Sequence, residues 1–168
     1  MIIKIAGLSD GVHNFSFDEA IEEIGLKKPF FGNFHLDAEL TKSHNQLVLS
    51  AEITLNAEFE CDRCTANYES VVKSKYRMVY FFGKEPAGDD EVNIKYLPHE
   101  ADKIKLDEEL RDYSVLAIPM KMLCKEDCKG LCRNCGSDLN EVSCGCADQE
   151  IDARWMPLQE LKSKLNNN

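Results

Sequence analysis

At 168 residues the chain is long enough for one domain with a modest core, or one domain and a small appendage. Hydrophobic residues at 43% and charged residues at 30% are ordinary for a soluble globular protein, and no stretch approaches the roughly 20 apolar residues of a membrane span. The formal charge of −10 disfavours general contact with bare phosphate backbone, so nucleic acid would have to meet a local basic patch or a protein intermediary.

The N-terminal run MIIKIAGLSDGVHNF lacks the long apolar core and small-residue cleavage site of a signal peptide, which predicts a cytoplasmic location. Ile3 and Ile5 fit a short strand. Asp18 to Leu26 reads as a brief helix begun by Ser16 or Asp18. Phe34, Leu36, Ala38 and Leu40 then alternate with polar residues, as do Leu47, Leu49, Ala51, Ile53, Leu55, Ala57 and Phe59. Period two of this kind is a half-buried strand. The polar stretch from Lys42 to Gln46 joins the two runs into a hairpin. The second run would span about 43 Å if straight, so a bend or bulge is expected. Tyr76, Met78, Tyr80 and Phe82 alternate again, which extends the hairpin to an antiparallel meander.

Glu85 to Glu91 is acidic and broken by Pro86 and Gly88, and reads as a mobile loop. Asp107 is the expected N-cap of a helix carrying Leu110, Tyr113, Ala117 and Ile118 on one face and stopped by Pro119. That helix is expected to cover the sheet. Asp152 to Leu165 is expected to form a last short helix with Pro157 in its first turn, before a frayed Asn-Asn-Asn end. The predicted class is α+β: an antiparallel β-meander with a covering helix and a C-terminal zinc-knuckle appendage. The predicted division is a core over residues 1–123, carrying the first Cys-x-x-Cys, and a cysteine-rich region over residues 124–168.

The chemistry lies in the eight cysteines, Cys61, Cys64, Cys124, Cys128, Cys132, Cys135, Cys144 and Cys146. A cytoplasmic compartment keeps thiols reduced, and Cys144 and Cys146 stand too close in sequence to bridge easily, so disulfides are disfavoured. In a Cys-x-x-Cys pair both thiolates leave one tight turn toward one ion, and Zn²⁺ favours four such ligands. Eight cysteines make two complete sites, so two Zn²⁺ ions are expected. The scattered His13, His35, His44 and His99 are not needed, and read as packing or surface residues. The favoured partition places Cys61, Cys64, Cys124 and Cys128 around one ion, clipping the sheet to the helix exit. Cys132, Cys135, Cys144 and Cys146 then fold the tail. The alternative groups Cys124, Cys128, Cys132 and Cys135, leaving Cys61 and Cys64 to join Cys144 and Cys146. Closing the long loop between Cys64 and Cys124 removes unfolded-state entropy, which favours the first.

Rival thiol chemistries fit less well. Cys128-x₃-Cys132-x₂-Cys135 matches a radical-SAM cluster motif, but the chain after it is too short for the barrel those enzymes need. A thiol redox centre belongs at a helix N-terminus in a βαβ unit, whereas Cys61 and Cys64 follow a meander strand. A redox-responsive zinc chaperone, with Cys132, Cys135, Cys144 and Cys146 around one zinc, remains the alternative. No metalloprotease helix motif, phosphate loop or nucleophile elbow occurs, and a four-thiolate site has no open position for water. The expectation is a protein that is not an enzyme.

Cys61-Asp62-Arg63-Cys64 after a long strand resembles the C-x-R-C element of the YceD family, the large ribosomal RNA subunit accumulation proteins. The run Cys128-Lys-Gly-Leu-Cys132-Arg-Asn-Cys135-Gly-Ser-Asp-Leu-Asn140 is similar to that family's C-x-G-L-C-x-x-C-G-x-x-L-N signature. Cys144-Gly-Cys146 and Asp152-Ala-Arg154-Trp155 match its usual ending, with Ala153 where proline is expected. The resemblance runs from about Leu47 to Leu161. It implies a role in 23S rRNA accumulation or processing and in large-subunit assembly, and carries over no catalytic residue. Lys121, Lys125, Lys129 and Arg133 recur every four residues through the cysteine region and offer a local basic edge on an acidic body. The functional expectation is a non-enzymatic assembly factor that binds a ribosomal protein or pre-ribosomal particle, with rRNA contacted indirectly. Neither a membrane nor a small-molecule substrate is expected.

Overall fold

In the computed structural model, which describes residues 1–83, 86, 92–146 and 158, the chain begins with β1 (Ile2–Lys4), β2 (Gly11–Ala20) and one 3₁₀ turn (Ile21–Ile24). It continues through β3 (Phe30–Ser43), β4 (Gln46–Glu60), β5 (Asn67–Phe82), β6 (Ile94–Leu97), β7 (Lys103–Lys105) and α1 (Asp107–Leu116). Five strands form one sheet in the order β2-β3-β4-β5-β6, and β1 pairs with β7 apart from it.

The period-two runs build the core. Leu36, Leu40, Leu47, Leu49 and Ile53 are fully buried, and register sets Leu36 opposite Ile53, Leu49 opposite Met78 and Leu47 opposite Tyr80. Each such side chain contributes about 1.5–3 kcal/mol relative to exposure. The β3–β4 hairpin is tighter than the polar stretch suggests, because Ser43 already pairs with Gln46. The bend or bulge expected in the second run is not there, since β4 keeps unbroken register with β5; the register shift falls instead in β3, between Phe31 and Phe34 beside Gly32 at φ 73°. α1 packs on β5, β4 and the 3₁₀ turn, and Leu110, Ile21, Ile24, Ile3 and Ile104 close the core on that side. The opposite sheet face carries polar residues such as Asp37, Glu39, Glu52, Lys75 and Arg77.

Three further expectations are corrected. Gly11–Ala20 is a strand, and only Ile21–Ile24 of the expected Asp18–Leu26 helix is helical. The edge of β3 offers ten paired positions, and Phe15 and Phe17 stack at 6.4 Å on the inner face, so pairing overrides the helical spacing of Ile21 and Ile24. The sheet is also not wholly antiparallel: β6 joins β5 in parallel, Val79 opposite Ile94. Asp107 is the first helical residue rather than the cap; Leu106 holds the cap position without a side-chain bond, and the Asp107 carboxylate pairs with the Met1 ammonium. The acidic stretch Glu85–Glu91 and the tail segment Asp152–Leu165 lie outside the described residues, Pro86 and Leu158 excepted. Among the described residues, no helix is long and apolar enough to cross a membrane.

Candidate metal centres

One loop is built twice. Cys61 follows the last residue of β4, and the hairpin to β5 closes at Glu60 opposite Asn67. Within it the Cys61 N–H donates to the Ala66 carbonyl at 2.9 Å, and the Thr65 N–H donates to the Cys61 carbonyl at 2.9 Å. Around the later pair, the Cys132 N–H donates to the Ser137 carbonyl at 2.8 Å, and the Gly136 N–H to the Cys132 carbonyl at 2.8 Å. The residue after each second cysteine is left-handed: Thr65 at φ 58° and Gly136 at φ 73°. This fold of the loop turns both thiols of each pair to one side. A single antiparallel bridge between Leu131 and Asp138 closes the second loop.

Cys124 and Cys128 arrive from the far side of α1, held to the first loop by backbone and by the Asp62 and Arg63 side chains. The Asp62 N–H donates to the Met122 carbonyl at 2.8 Å, and the Met122 N–H to Asp62 Oδ2 at 2.7 Å. Arg63 Nη1 donates to the Cys128 carbonyl at 2.6 Å, and the Leu131 N–H to the Arg63 carbonyl at 3.0 Å. Cys61, Cys64, Cys124 and Cys128 are thereby gathered, and Cys132, Cys135, Cys144 and Cys146 form a second group; within each, all sulfurs lie within 4.8 Å of one another. This is the favoured grouping, and the alternative quartets are not formed.

The sulfur spacing tests the fit to a metal. Cys61 Sγ stands 3.8 Å from Cys128 Sγ, and Cys64 Sγ 3.6 Å from Cys124 Sγ. A tetrahedron with Zn–S bonds of about 2.3 Å puts its sulfurs about 3.8 Å apart. Disulfide sulfurs would stand at about 2.05 Å, and all eight cysteines are free. The donor set suits a divalent ion of zinc type in each group, with tetrahedral spacing in the first and all four sulfurs within 4.8 Å in the second.

The electrostatics agree. Burial works to raise the Cys61 thiol, but backbone donors at Cys124, Arg63 and Cys64 outweigh it and draw the thiol down to about 6. Ser137, through its side chain and its N–H, brings Cys135 to about 6. The backbone of Cys135 and Asn134 lowers Cys132, and the Asn134 N–H stands 3.4 Å from its sulfur. Burial and the neighbouring sulfurs push Cys124 up to about 12, and the Cys135 sulfur and burial push Cys146 up to about 12. Four thiolates this close cannot all ionise without a cation among them.

The two groups differ in exposure. Cys61, Cys64 and Cys128 are buried and pack with Tyr68 and Leu123, whereas Cys135 and Cys146 are exposed. Asn140, between Cys135 and Cys144 in the chain, reaches back to the first group: its Nδ2 donates to Cys128 Sγ at 3.4 Å, while its Oδ1 accepts from the Lys129 N–H at 2.9 Å. Sequence reasoning did not single out Asn140 or Ser137 as sulfur donors; Asn140 was visible as the last residue of the family signature, and Ser137 only by its place beside Cys135. Lys121, Lys125, Lys129 and Arg133 are all exposed around this region.

The sequence model of a family described as "Large ribosomal RNA subunit accumulation protein YceD" matches residues 49–162, a span that includes all eight cysteines. A chloroplastic protein of Arabidopsis thaliana, named as a YCED homolog and large ribosomal RNA subunit accumulation protein, is 33% identical over 70 residues, 42% of this chain and 22% of its own length. An uncharacterised protein of Mycobacterium tuberculosis is 24% identical over 127 residues, 75% of this chain and 60% of its own. One from Mycobacterium leprae is 24% identical over 132 residues, 76% of this chain and 58% of its own. The chain thus spans about a fifth of the plant relative and about three fifths of the mycobacterial ones. No solved structure matches the chain significantly.

Proposed function

The chain belongs to the YceD family, and on that premise we propose that it is a non-enzymatic assembly factor for the large ribosomal subunit, braced by two zinc ions. Cys61, Cys64, Cys124 and Cys128 hold one ion, and Cys132, Cys135, Cys144 and Cys146 the other. The single observation that carries this reading is the pair of four-sulfur groups, each with all its sulfurs within 4.8 Å of one another. Four thiolates around zinc supply bonds and charge balance and leave no position for a reacting water. The role is therefore architectural: the first site ties the β4–β5 hairpin to the chain leaving α1. The braced surface binds a ribosomal protein or pre-ribosomal particle in the cytoplasm. The charge of −10 suits a basic ribosomal protein, and exposed Lys121, Lys125, Lys129 and Arg133 offer a local contact for rRNA.

Affinity capture of the native protein from growing cells tests this. Large-subunit ribosomal proteins or precursor 23S rRNA should co-purify at levels above those of an unrelated acidic protein. Recovery of neither removes the reading, and cleavage of precursor rRNA by the purified protein with Mg²⁺ removes the non-enzymatic part.

The exposure of Cys135 and Cys146 favours a second reading, a redox-responsive zinc chaperone. Mild peroxide would then release zinc and raise holdase activity; an assembly factor loses structure without gaining that activity.

A further inference from the structure

Under α1, away from both sulfur groups, polar atoms are buried without partners. Glu109, in the first turn of the helix, has a side chain only 5% exposed. Lys95 Nζ pairs with its Oε1 and reaches Glu108 Oε2 at 3.0 Å, but Glu109 Oε2 has no hydrogen-bond partner. The hydroxyls of Tyr76 and Tyr80 are also buried and unpartnered. Burial, and then the charge of Glu109, hold both phenols above their ordinary range, so both stay protonated near neutrality. The helix dipole accounts for acids in a first turn. It does not account for one of them being buried with an unmet oxygen, which costs about 1–3 kcal/mol or more.

Glu109 lines a cavity of about 290 Å³ together with Glu108, Asp112, Lys95, Tyr113 and Met78. Three carboxylates and one ammonium line it, and Arg111 Nε approaches Asp112 Oδ1 from outside at 3.8 Å, so the acids still outnumber the cations. Tyr113 forms a fixed wall: its ring stacks on Tyr76 at 4.6 Å, and its hydroxyl donates to Asn93 Oδ1 at 2.6 Å. Leu116 and Val92, exposed at 77% and 84%, give the mouth an apolar rim.

We propose that this cavity is a binding site for the guanidinium group of an arginine side chain presented by a basic protein partner. The cavity offers Glu109 Oε2, which lacks a partner, and the exposed carboxylates of Glu108 and Asp112, all able to accept, and guanidinium brings five N–H donors in one plane with a positive charge. Met78, Tyr113 and the rim take the aliphatic stem and the adjoining backbone. The proposal rests on the assembly-factor reading for the nature of the partner, and names the contact.

The test is a titration of the ¹⁵N-labelled, zinc-loaded full chain with four probes. These are Nα-acetyl-arginine methylamide, its neutral citrulline counterpart, agmatine, and a nine-residue peptide centred on arginine. The arginine amide should give saturable shifts at Met78, Val92, Tyr113 and Leu116, the citrulline amide none, and the peptide should bind at least tenfold more tightly than agmatine. Asp112→Asn and Glu108→Gln, both at exposed side chains, should weaken the peptide at least fivefold each without unfolding the chain. Absent or unsaturable shifts, or equal shifts from citrulline, overturn the site. Agmatine binding as tightly as the peptide overturns the protein segment as its occupant. Ribosomal-protein capture unchanged by Asp112→Asn combined with Glu108→Gln also overturns the site, and leaves the assembly reading standing. If the wild-type chain captures nothing, that reading falls, while the titration still decides the cavity.

Discussion

Arg63 and Gly130 meet backbone to backbone. The Arg63 carbonyl accepts the N–H of Leu131 at 3.0 Å, and a Cβ on Gly130 would stand 2.8 Å from that same oxygen. Gly130 also sits at φ 75°. Alanine there has to move the Arg63 carbonyl, which breaks the bond tying the first loop to the second and pulls Cys128 from Cys61. Overpacking costs about 1–3 kcal/mol, and the left-handed backbone adds about 1–2 kcal/mol. Gly130→Ala should lower the thermal midpoint and the zinc content of the first site. Gly136→Ala is the control: its φ is 73° but a Cβ meets nothing within 4 Å, so only the backbone term applies. Equal effects of the two substitutions would refute the close-approach argument.

Thr65 takes the place in the first loop that Gly136 takes in the second, although a β-branched residue at φ 58° is strained. Thr65→Gly removes about 1–2 kcal/mol of left-handed strain and adds about 0.5–1 kcal/mol of unfolded-state entropy. The net is a stabilisation of up to about 1.5 kcal/mol, at about 2–4 °C per kcal/mol for a chain of this size. Differential scanning calorimetry of the zinc-loaded variant measures it. A fall in midpoint would mean the Thr65 side chain contributes something its backbone strain conceals.

How far the sequence announced this molecule depends on where each element draws its stability. β3 and β4 were legible because Leu36, Leu40, Leu47, Leu49 and Ile53 are buried at every second position, a pattern local to the strand. β2 was misread because its strand state comes from pairing with β3, while Ile21 and Ile24 imitate a helix face. β6 and β7 are four and three residues long, too short for any period, and β7 exists only through β1, a hundred residues away in sequence. The cysteine grouping was legible from spacing and count. The backbone that enforces it, from Asp62 to Met122 and from Arg63 to Leu131, was not, because those bonds involve main-chain atoms that any residue carries.

His35 on the outer sheet face makes a pH-dependent contact. Its Nδ1 lies 2.9 Å from Asp18 Oδ1 and its Nε2 3.2 Å from Asp37 Oδ2. The hydrogen bond to Asp18 leads in raising its pKa above the ordinary 6.5. The contribution is therefore fully present below the unfolded value and is lost as pH rises through the higher folded one. His35→Gln should destabilise the protein at pH 5.5 more than at pH 8.5, by a small amount, because the side chain is exposed. Urea midpoints at the two values read the difference. A larger loss at pH 8.5 would reverse the sign and refute the pairing.

Metal removal should separate the two centres. The first is buried under Tyr68 and Leu123, while the second exposes Cys135 and Cys146. A chelator or mild oxidant reaches exposed thiolates first, so zinc should leave in two phases of equal amplitude, the tail group leading. The first phase should spare the sheet, whose buried side chains come from other strands. The second should lower the thermal midpoint, because structural zinc contributes folding free energy, about 10–16 kcal/mol of binding in isolated fingers. Cys61→Ser combined with Cys64→Ser should leave one zinc per chain, since the loop around Cys132 and Cys135 closes on its own backbone bonds to Ser137 and Gly136. Elemental analysis of the purified variant decides between the models. If the content falls to zero, Asn140 and the Cys128–Cys132 connection make the two groups one cooperative unit, and the tail cannot hold its ion without the sheet.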